Sequence, residues 1–307
     1  MNMFFNKTQH WRFLKMATHT FTPHPIFAAL LKAGNEFGGV QWCSESKLQK
    51  YFLSKLYCPH LSEIERFSDT ELRSWVSEVA DELNKILSTE GFDIQLDELQ
   101  NNEIGVVAIL DLLLKWIKRG VKIDIQGLNN IVYPGVKIQQ ERIDGRDTFI
   151  SCHSTNHKHP IAKVSTKNGD TVWMTIADEE ITGFELFEHI EQIQKNISVN
   201  SRRTFVHFPM INLDNQPDTS WLVGLPHTGG GCITQAMQQT KFKMNEEGAH
   251  LKSAVAIATL RGIAPKESGI TINKPFYLWI ERPNVKLPII CAYMDYDVWK
   301  DPKDLNM

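Results

Sequence analysis

Between Leu72 and Ile86 the apolar residues recur at helical spacing. Leu72, Trp75, Val76, Val79, Leu83 and Ile86 fall at i, i+3, i+4 and i+7, the stripe of a helix lying on a core. Ser68 and Glu71 stand just ahead at capping-box spacing, so one helix is predicted over 68–87. "EIGVVAILDLLLKWIKRG", 103–120, is apolar nearly all round and predicts a well-buried helix ended by Gly120. "FELFEHIEQIQKNI" adds another, with Phe184, Leu186, Phe187, Ile190 and Ile193 as its apolar side. From Val121 strand patterns take over. "VKIDIQGLNNIVYPG", "DTVWMTIAD", "RTFVHFPMINLD" and "ITQAMQQTKFKM" carry β-branched and aromatic residues between Gly, Pro, Asn or Asp, the signature of strands. "KPFYLWIERPNVKLPIICAYM" reads as two strands around a turn near Pro283–Asn284. A helix-rich 1–120 followed by a strand-rich 121–307 predicts an α+β fold with a large, mostly antiparallel sheet. No repeat or linker divides it, so a single domain over 1–307 is expected.

Composition narrows the partners. With 307 residues, 42% apolar and 22% charged, the chain is ordinary globular material. A net charge of -3 without long runs of one sign argues against nucleic acid, which needs a basic stripe. No apolar stretch reaches the ~20 residues that cross a bilayer, so no membrane partner is expected. The start lacks the apolar core of a secretory signal; a cytoplasmic location is expected, or else the mature form of a secreted protein. Five scattered cysteines, an odd number, predict buried reduced thiols. Cys152, His153, His157 and His159 lie close together in "CHSTNHKH" but match no zinc spacing. Their polar neighbours predict a solvated loop, and neither a metal nor another cofactor is expected. With no phosphate-cradling loop and no triad, an enzyme is not expected; one centred on the Cys152–His159 cluster would require stoichiometric zinc.

One segment fits no local template. "KMNEEGAHLKSAVAIATLRG", 243–262, begins with two carboxylates and a glycine and continues in small and β-branched residues. It lies between strand candidates ending at Met244 and beginning near Thr271, and so long a connection is unusual unless functional. Its composition is the opposite of a disordered tract. As a strand it would send Ala249, Leu251, Ser253 and Val255 to one face and His250, Lys252, Ala254 and Ala256 to the other. It reads as a loop able to enter a sheet, with Gly248 supplying backbone freedom.

Here the chain resembles the serpin family, as an atypically short member. "NEEGAHLKSAVAIA" is similar to the family's hinge, Asn-Glu-Glu-Gly and then small residues. "FTPHPIFAALLKAG" is similar to its early helix motif. "LNNIVYPG" resembles its central-strand motif, with Asn129 at the shared asparagine. "VWMTIADEE", "VHFPMINLD" and "NKPFYLWIERP…LPIICAYM" follow in family order. The resemblance implies a dominant sheet, smaller sheets, a helical coat and an exposed reactive-centre loop at about 246–270. It implies a monomeric suicide inhibitor of a serine, or else cysteine, endopeptidase. The loop is cleaved, the protease stays acyl-bound, and the loop inserts as an extra strand of a metastable fold. Glu246, Glu247, Gly248 and Ala249 would be the hinge, and Leu251, Ser253 and Val255 the inserting face. The scissile bond would follow Arg261, Gly262 or Leu260; Arg261 is favoured and would suit a trypsin-like protease.

Departures accompany the resemblance. Thr22, Asn129 and Gln238 would form the shutter under the sheet, with Pro25 replacing a second serine. Met210 stands where a basic residue often pairs with the hinge glutamate, so that ion pair is expected to be absent. The tryptophan expected shortly after Gly135 is missing, and Ala292 stands near a usual glycine. Shortfalls fall between the Ser68 helix and Asn129 and from Val136 to Pro160. With the bulky Leu251 and the charged Lys252, they support the alternative of a non-inhibitory, binding or chaperone-like protein of the same fold.

Overall fold

Alternation along Phe276–Glu281 fixes the layering. Tyr277 and Trp279 enter one core cluster, while Leu278 and Ile280 enter the other. A strand buried on both faces must lie between two layers. The computed structural model describes residues 17–100, 102–128, 130–200, 203–250 and 268–305. Its largest sheet has seven antiparallel strands in the order β1 (His19–Phe21), β19 (Ile290–Met294), β18 (Phe276–Glu281), β11 (Thr171–Ile176), β10 (His157–Ser165), β9 (Phe149–Ser154) and β12 (Ile197–Val199). One face is covered by α1 (Pro23–Glu36) and α5 (Gly183–Gln194), together with α2 (Lys47–Tyr51), a π-helical Phe52–Tyr57 and α3 (Cys58–His60).

The other face packs on two four-stranded sheets. One runs β17 (Gly269–Thr271), β13 (Phe205–Pro209), β6 (Val132–Gln139), β5 (Val121–Gln126), with β13–β17 its one parallel pair. The other runs β14 (Ile211–Asn215), β15 (Thr240–Met244), β16 (Gly248–His250), β4 (Leu114–Lys115). A two-stranded pair joins β2 (Leu72–Ser77) to β3 (Gly105–Leu110), and a small hairpin joins β7 (Arg142–Ile143) to β8 (Arg146–Asp147). The fold is α+β, with a large antiparallel sheet as expected.

Two predicted helices are corrected. The 103–120 run forms β3 and β4. Val107 and Ile109 of β3 pack on Leu83 and Leu87 of α4 (Ala80–Thr89), and α1 lies against the same strand. A strand covered on both sides shows no alternation in sequence, so it reads like a buried helix. In 68–87 the capping-box half does form, Ser68 N donating to Glu71 Oε2 at 2.9 Å. Only one turn follows before the chain extends, because Leu72–Ser77 finds a ladder with Leu110–Gly105. The helix waits until Ala80, where Asp81 and Glu82 occupy its first turn and favour its positive end. Within "ITQAMQQTKFKM" only Thr240–Met244 is a strand; Gln235 and Gln239 instead accept from the backbone N–H groups of Asp97, Asp93 and Ile94.

The cysteine reading is corrected in part. All five are free thiols, but Cys43, Cys58 and Cys232 are exposed and only Cys152 and Cys291 are buried. The Cys152–His159 segment is no solvated loop but the β9–β10 hairpin. Burial pushes the Cys152 thiol up to about 11. The buried His157 ring lies 2.9 Å from Thr175 Oγ1, His159 meets Asp178 Oδ1 at 3.1 Å, and His153 turns to Ser198. Among the described residues no group of three or more such side chains could hold a metal ion.

Candidate functional site

The odd segment begins on β15. Asn245 takes its N–H to Gly248 O at 2.9 Å, and its side-chain Oδ1 accepts from Glu247 N at 2.8 Å. This tight turn reverses the chain into β16, which pairs antiparallel on both sides: Met244 with Ala249, and Lys115 and Leu114 with Gly248 and Ala249. Of the residues expected to form the hinge, Glu246 and Glu247 make the turn, while Gly248 and Ala249 are strand, seated between β15 and β4, with Ala249 1% exposed. Gly248 permits this approach, since a Cβ there would stand 2.0 Å from Leu114 O.

The segment after β4 fastens the turn. Trp116, 1% exposed, donates Nε1–H to Asn245 O at 2.9 Å and its backbone N–H to Glu247 O at 3.1 Å. Gly120 N donates to Glu246 O at 2.7 Å. Arg119 places one guanidinium nitrogen 2.6 Å from Glu246 Oε1 and 3.1 Å from Glu247 Oε1, and Lys122 Nζ lies 3.7 Å from Glu246 Oε2. No ion pair reaches the hinge glutamates from position 210; Arg119 and Lys122 pair with them instead. Met210 does sit buried and apolar, but the cation comes from the other side of the turn. No local pattern signals this, because register alone brings 119 to 246.

Below the seated hinge lies a slot of about 690 Å³. One wall is β3, whose described pairing is to β2 alone. The opposite wall is β15, which pairs on the hinge side only through Lys243 and Met244. Thr22, Pro25, Ile26 and Ala29 of the α1 start line it, as do Ile280 and Ile290. Gln238 Nε2 donates to the backbone carbonyl of Thr22 at 3.0 Å. The Thr22 hydroxyl is buried and has no hydrogen-bond partner among the described residues.

Two of the three shutter residues therefore meet, through the Thr22 carbonyl rather than its hydroxyl. Asn129 lies outside the described residues. Its neighbours form the β5–β6 turn, where Gly127 N donates to Ile131 O, and no described residue of 121–139 lines the slot. The "LNNIVYPG" segment thus lies in the β5–β6 hairpin of a different sheet. The strand paired with Gly248 and Ala249 is β4, and a tryptophan follows it, Trp116. Leu251, Ser253, Val255, Leu260, Arg261 and Gly262 also lie outside the described residues.

No protein-family model matches the chain, and no curated protein matches it in sequence. Solved structures do. A highly specific serpin of the insect Tenebrio molitor superposes with a TM-score of 0.55 at 12% identity, covering 90% of this chain and 91% of that one. Mouse protein-Z dependent protease inhibitor gives 0.54 at 15%, with 90% of each chain covered. Human thyroxine-binding globulin complexed with thyroxine gives 0.55 at 11%, with 91% and 92% covered. Identities this low speak to architecture alone, and on that the three agree: this chain has the serpin fold.

Proposed function

We propose that the protein is an inhibitor of an endopeptidase, with 248–262 as bait and inserting strand. One observation carries the reading: an apolar slot of about 690 Å³, lined by β3 and β15, adjoins a Gly248–Ala249 segment already paired on both sides. A strand continued in the same register would set Leu251 between Phe242 and Leu112, and Ser253 between Thr240 and Leu110. Ala249 points inward, so alternate positions 251, 253 and 255 would share its face. Each backbone hydrogen bond gained on filling the slot contributes about 0.5–1.5 kcal/mol, with apolar burial added.

In this reading a protease nucleophile attacks the Arg261 carbonyl and the bond to Gly262 breaks. The new N-terminus leaves, and insertion then carries the acyl-bound protease away. The fold neighbours include inhibitors, and also a globulin complexed with thyroxine. The test is a panel of trypsin-like and other serine and cysteine proteases on denaturing gels. A heat-stable covalent adduct is expected from at least one, with cleavage within 255–264. Cleavage by several with no adduct from any, and no gain in thermal stability after nicking, would leave the non-inhibitory reading instead.

A further inference from the structure

We propose that Arg119 is the positioning residue that keeps the hinge seated, and that ionic strength sets how firmly it does so. What the clamp is for rests on the inhibitor reading; its geometry does not. Glu246 is 5% exposed, and its Oε2 makes no hydrogen bond among the described residues. A buried carboxylate in that condition favours leaving for water. Three backbone-directed bonds hold the turn in, from Trp116 Nε1, Trp116 N and Gly120 N. None of them compensates the charge.

Arg119 does so, with one nitrogen on Oε1 of both hinge glutamates at 2.6 and 3.1 Å. Lys122 is a weaker candidate. It is half exposed, stands 3.7 Å from Glu246, and is shared with Asp301 Oδ2 at 3.3 Å. The turn is therefore a balanced element. Desolvation of Glu246 pushes it out, and one guanidinium holds it in. The Arg119 side chain is 32% exposed, so salt reaches the contact and weakens it. Across the turn stands Met210, apolar and buried, and among the described residues the cations paired with Glu246 are Arg119 and Lys122.

The test is hydrogen exchange by mass spectrometry on the intact chain, without protease. Arg119→Gln is expected to speed exchange in a peptide covering 245–250 about tenfold, the scale of one charge-assisted hydrogen bond. Exchange across Phe276–Met294 should stay unchanged. Arg119→Lys should recover most of the protection, since a cation remains, and Lys122→Gln should change little. Hinge exchange at the wild-type rate in Arg119→Gln would overturn the proposal, as would loss that Lys fails to relieve. Should Arg119→Gln not fold, wild type decides. Its hinge should exchange faster at about 1 M salt, where the screening length is near 3 Å, and no change there overturns the proposal. A chain that traps no protease yet loses hinge protection in Arg119→Gln would refute the inhibitor reading and keep this one; an inhibitor with an unmoved hinge does the reverse.

Discussion

Gly248→Ala tests the seated hinge by sterics alone. A Cβ at 248 would lie 2.0 Å from Leu114 O and 3.0 Å from both Leu114 C and Lys115 Cα. These are backbone atoms and cannot rotate away, so β16 must move off β4 by more than 1 Å, beyond hydrogen-bond reach. The move forfeits the Gly248–Lys115 and Ala249–Leu114 pairing. Two backbone bonds at about 0.5–1.5 kcal/mol each and one buried methyl at about 0.8 kcal/mol give roughly 2–4 kcal/mol. Against this, replacing glycine with alanine gains about 0.4–1 kcal/mol by restricting the unfolded chain. A net loss of about 1–3 kcal/mol remains. For 307 residues that corresponds to a midpoint lower by about 2–5 °C, at roughly 1.5 °C per kcal/mol. Calorimetry reads the shift, and hydrogen exchange locates it, with amides of 245–250 exchanging about 5- to 100-fold faster over that energy range. A variant with wild-type midpoint and wild-type hinge exchange would refute the reasoning, because no packed strand could then stand where Leu114 O meets Gly248.

Three further outcomes are expected. Arg282 donates to Asp170 and Glu71 over distances of 2.7–3.0 Å, and Asp170 is 2% exposed. Arg282→Met should therefore cost about 3–5 kcal/mol, and adding Asp170→Asn should recover part of it; a midpoint change under about 1 °C counts against the buried pair. Burial holds His24, His157 and His189 below the ordinary value of 6.5, so the unfolded chain takes these protons first and stability should fall as pH drops below 6.5. Glu63 adds loss at lower pH: burial alone would raise its carboxyl, but the nearby His24 and His60 and the N–H groups of Leu287 and Lys286 hold it at about 2, so its contribution goes between the ordinary 4.5 and that value. Midpoints measured from pH 7.5 to 3 check both windows, and His24→Gln should flatten the upper one. A thiol reagent should titrate Cys43, Cys58 and Cys232 in the native protein and all five cysteines after denaturation, since Cys152 and Cys291 are buried; a fourth fast thiol would contradict the packing.

The parts legible in the sequence are those with a single, consistent environment. Phe276–Glu281 and Ile290–Met294 are short apolar and aromatic runs set off by prolines and buried except at Glu281, and α5 buries Leu186, Phe187, Ile190 and Ile193 at helical spacing. The hinge was legible for another reason: its composition suits neither a loop nor an ordinary core strand. The walls of the slot were not. Gly105–Leu110 is apolar on both faces, with Val107 and Ile109 packed on α4 and Val106, Ala108 and Leu110 half-buried along the slot, and nothing local separates that from a buried helix. Leu72–Ser77 has helical spacing by accident, and its strand state comes from pairing with residues 28–38 positions away. Long-range register decided both. The same blindness hid Arg119, whose partner is 127 positions off.

The hinge and the slot are one mechanical unit. Neighbouring strands sit about 4.8 Å apart, so β16 between β15 and β4 holds those two about 10 Å apart at the top of the sheet. Below Ala249 the slot has β15 on one side and β3 on the other, with no strand between them among the described residues. The wedge is only two residues deep, and Ile26, Ile280 and Ile290 line the apolar space beneath it. Removing the wedge should let β15 move toward β3, trading hinge hydrogen bonds for closure of that apolar surface. The Gln238–Thr22 bond ties the base of β15 to the start of α1 and so limits how far the strand can slide. If Arg119 holds Glu246 as proposed, Arg119→Gln is therefore expected to loosen the hinge and let the slot narrow as well, which exchange rates along Thr240–Met244 would read.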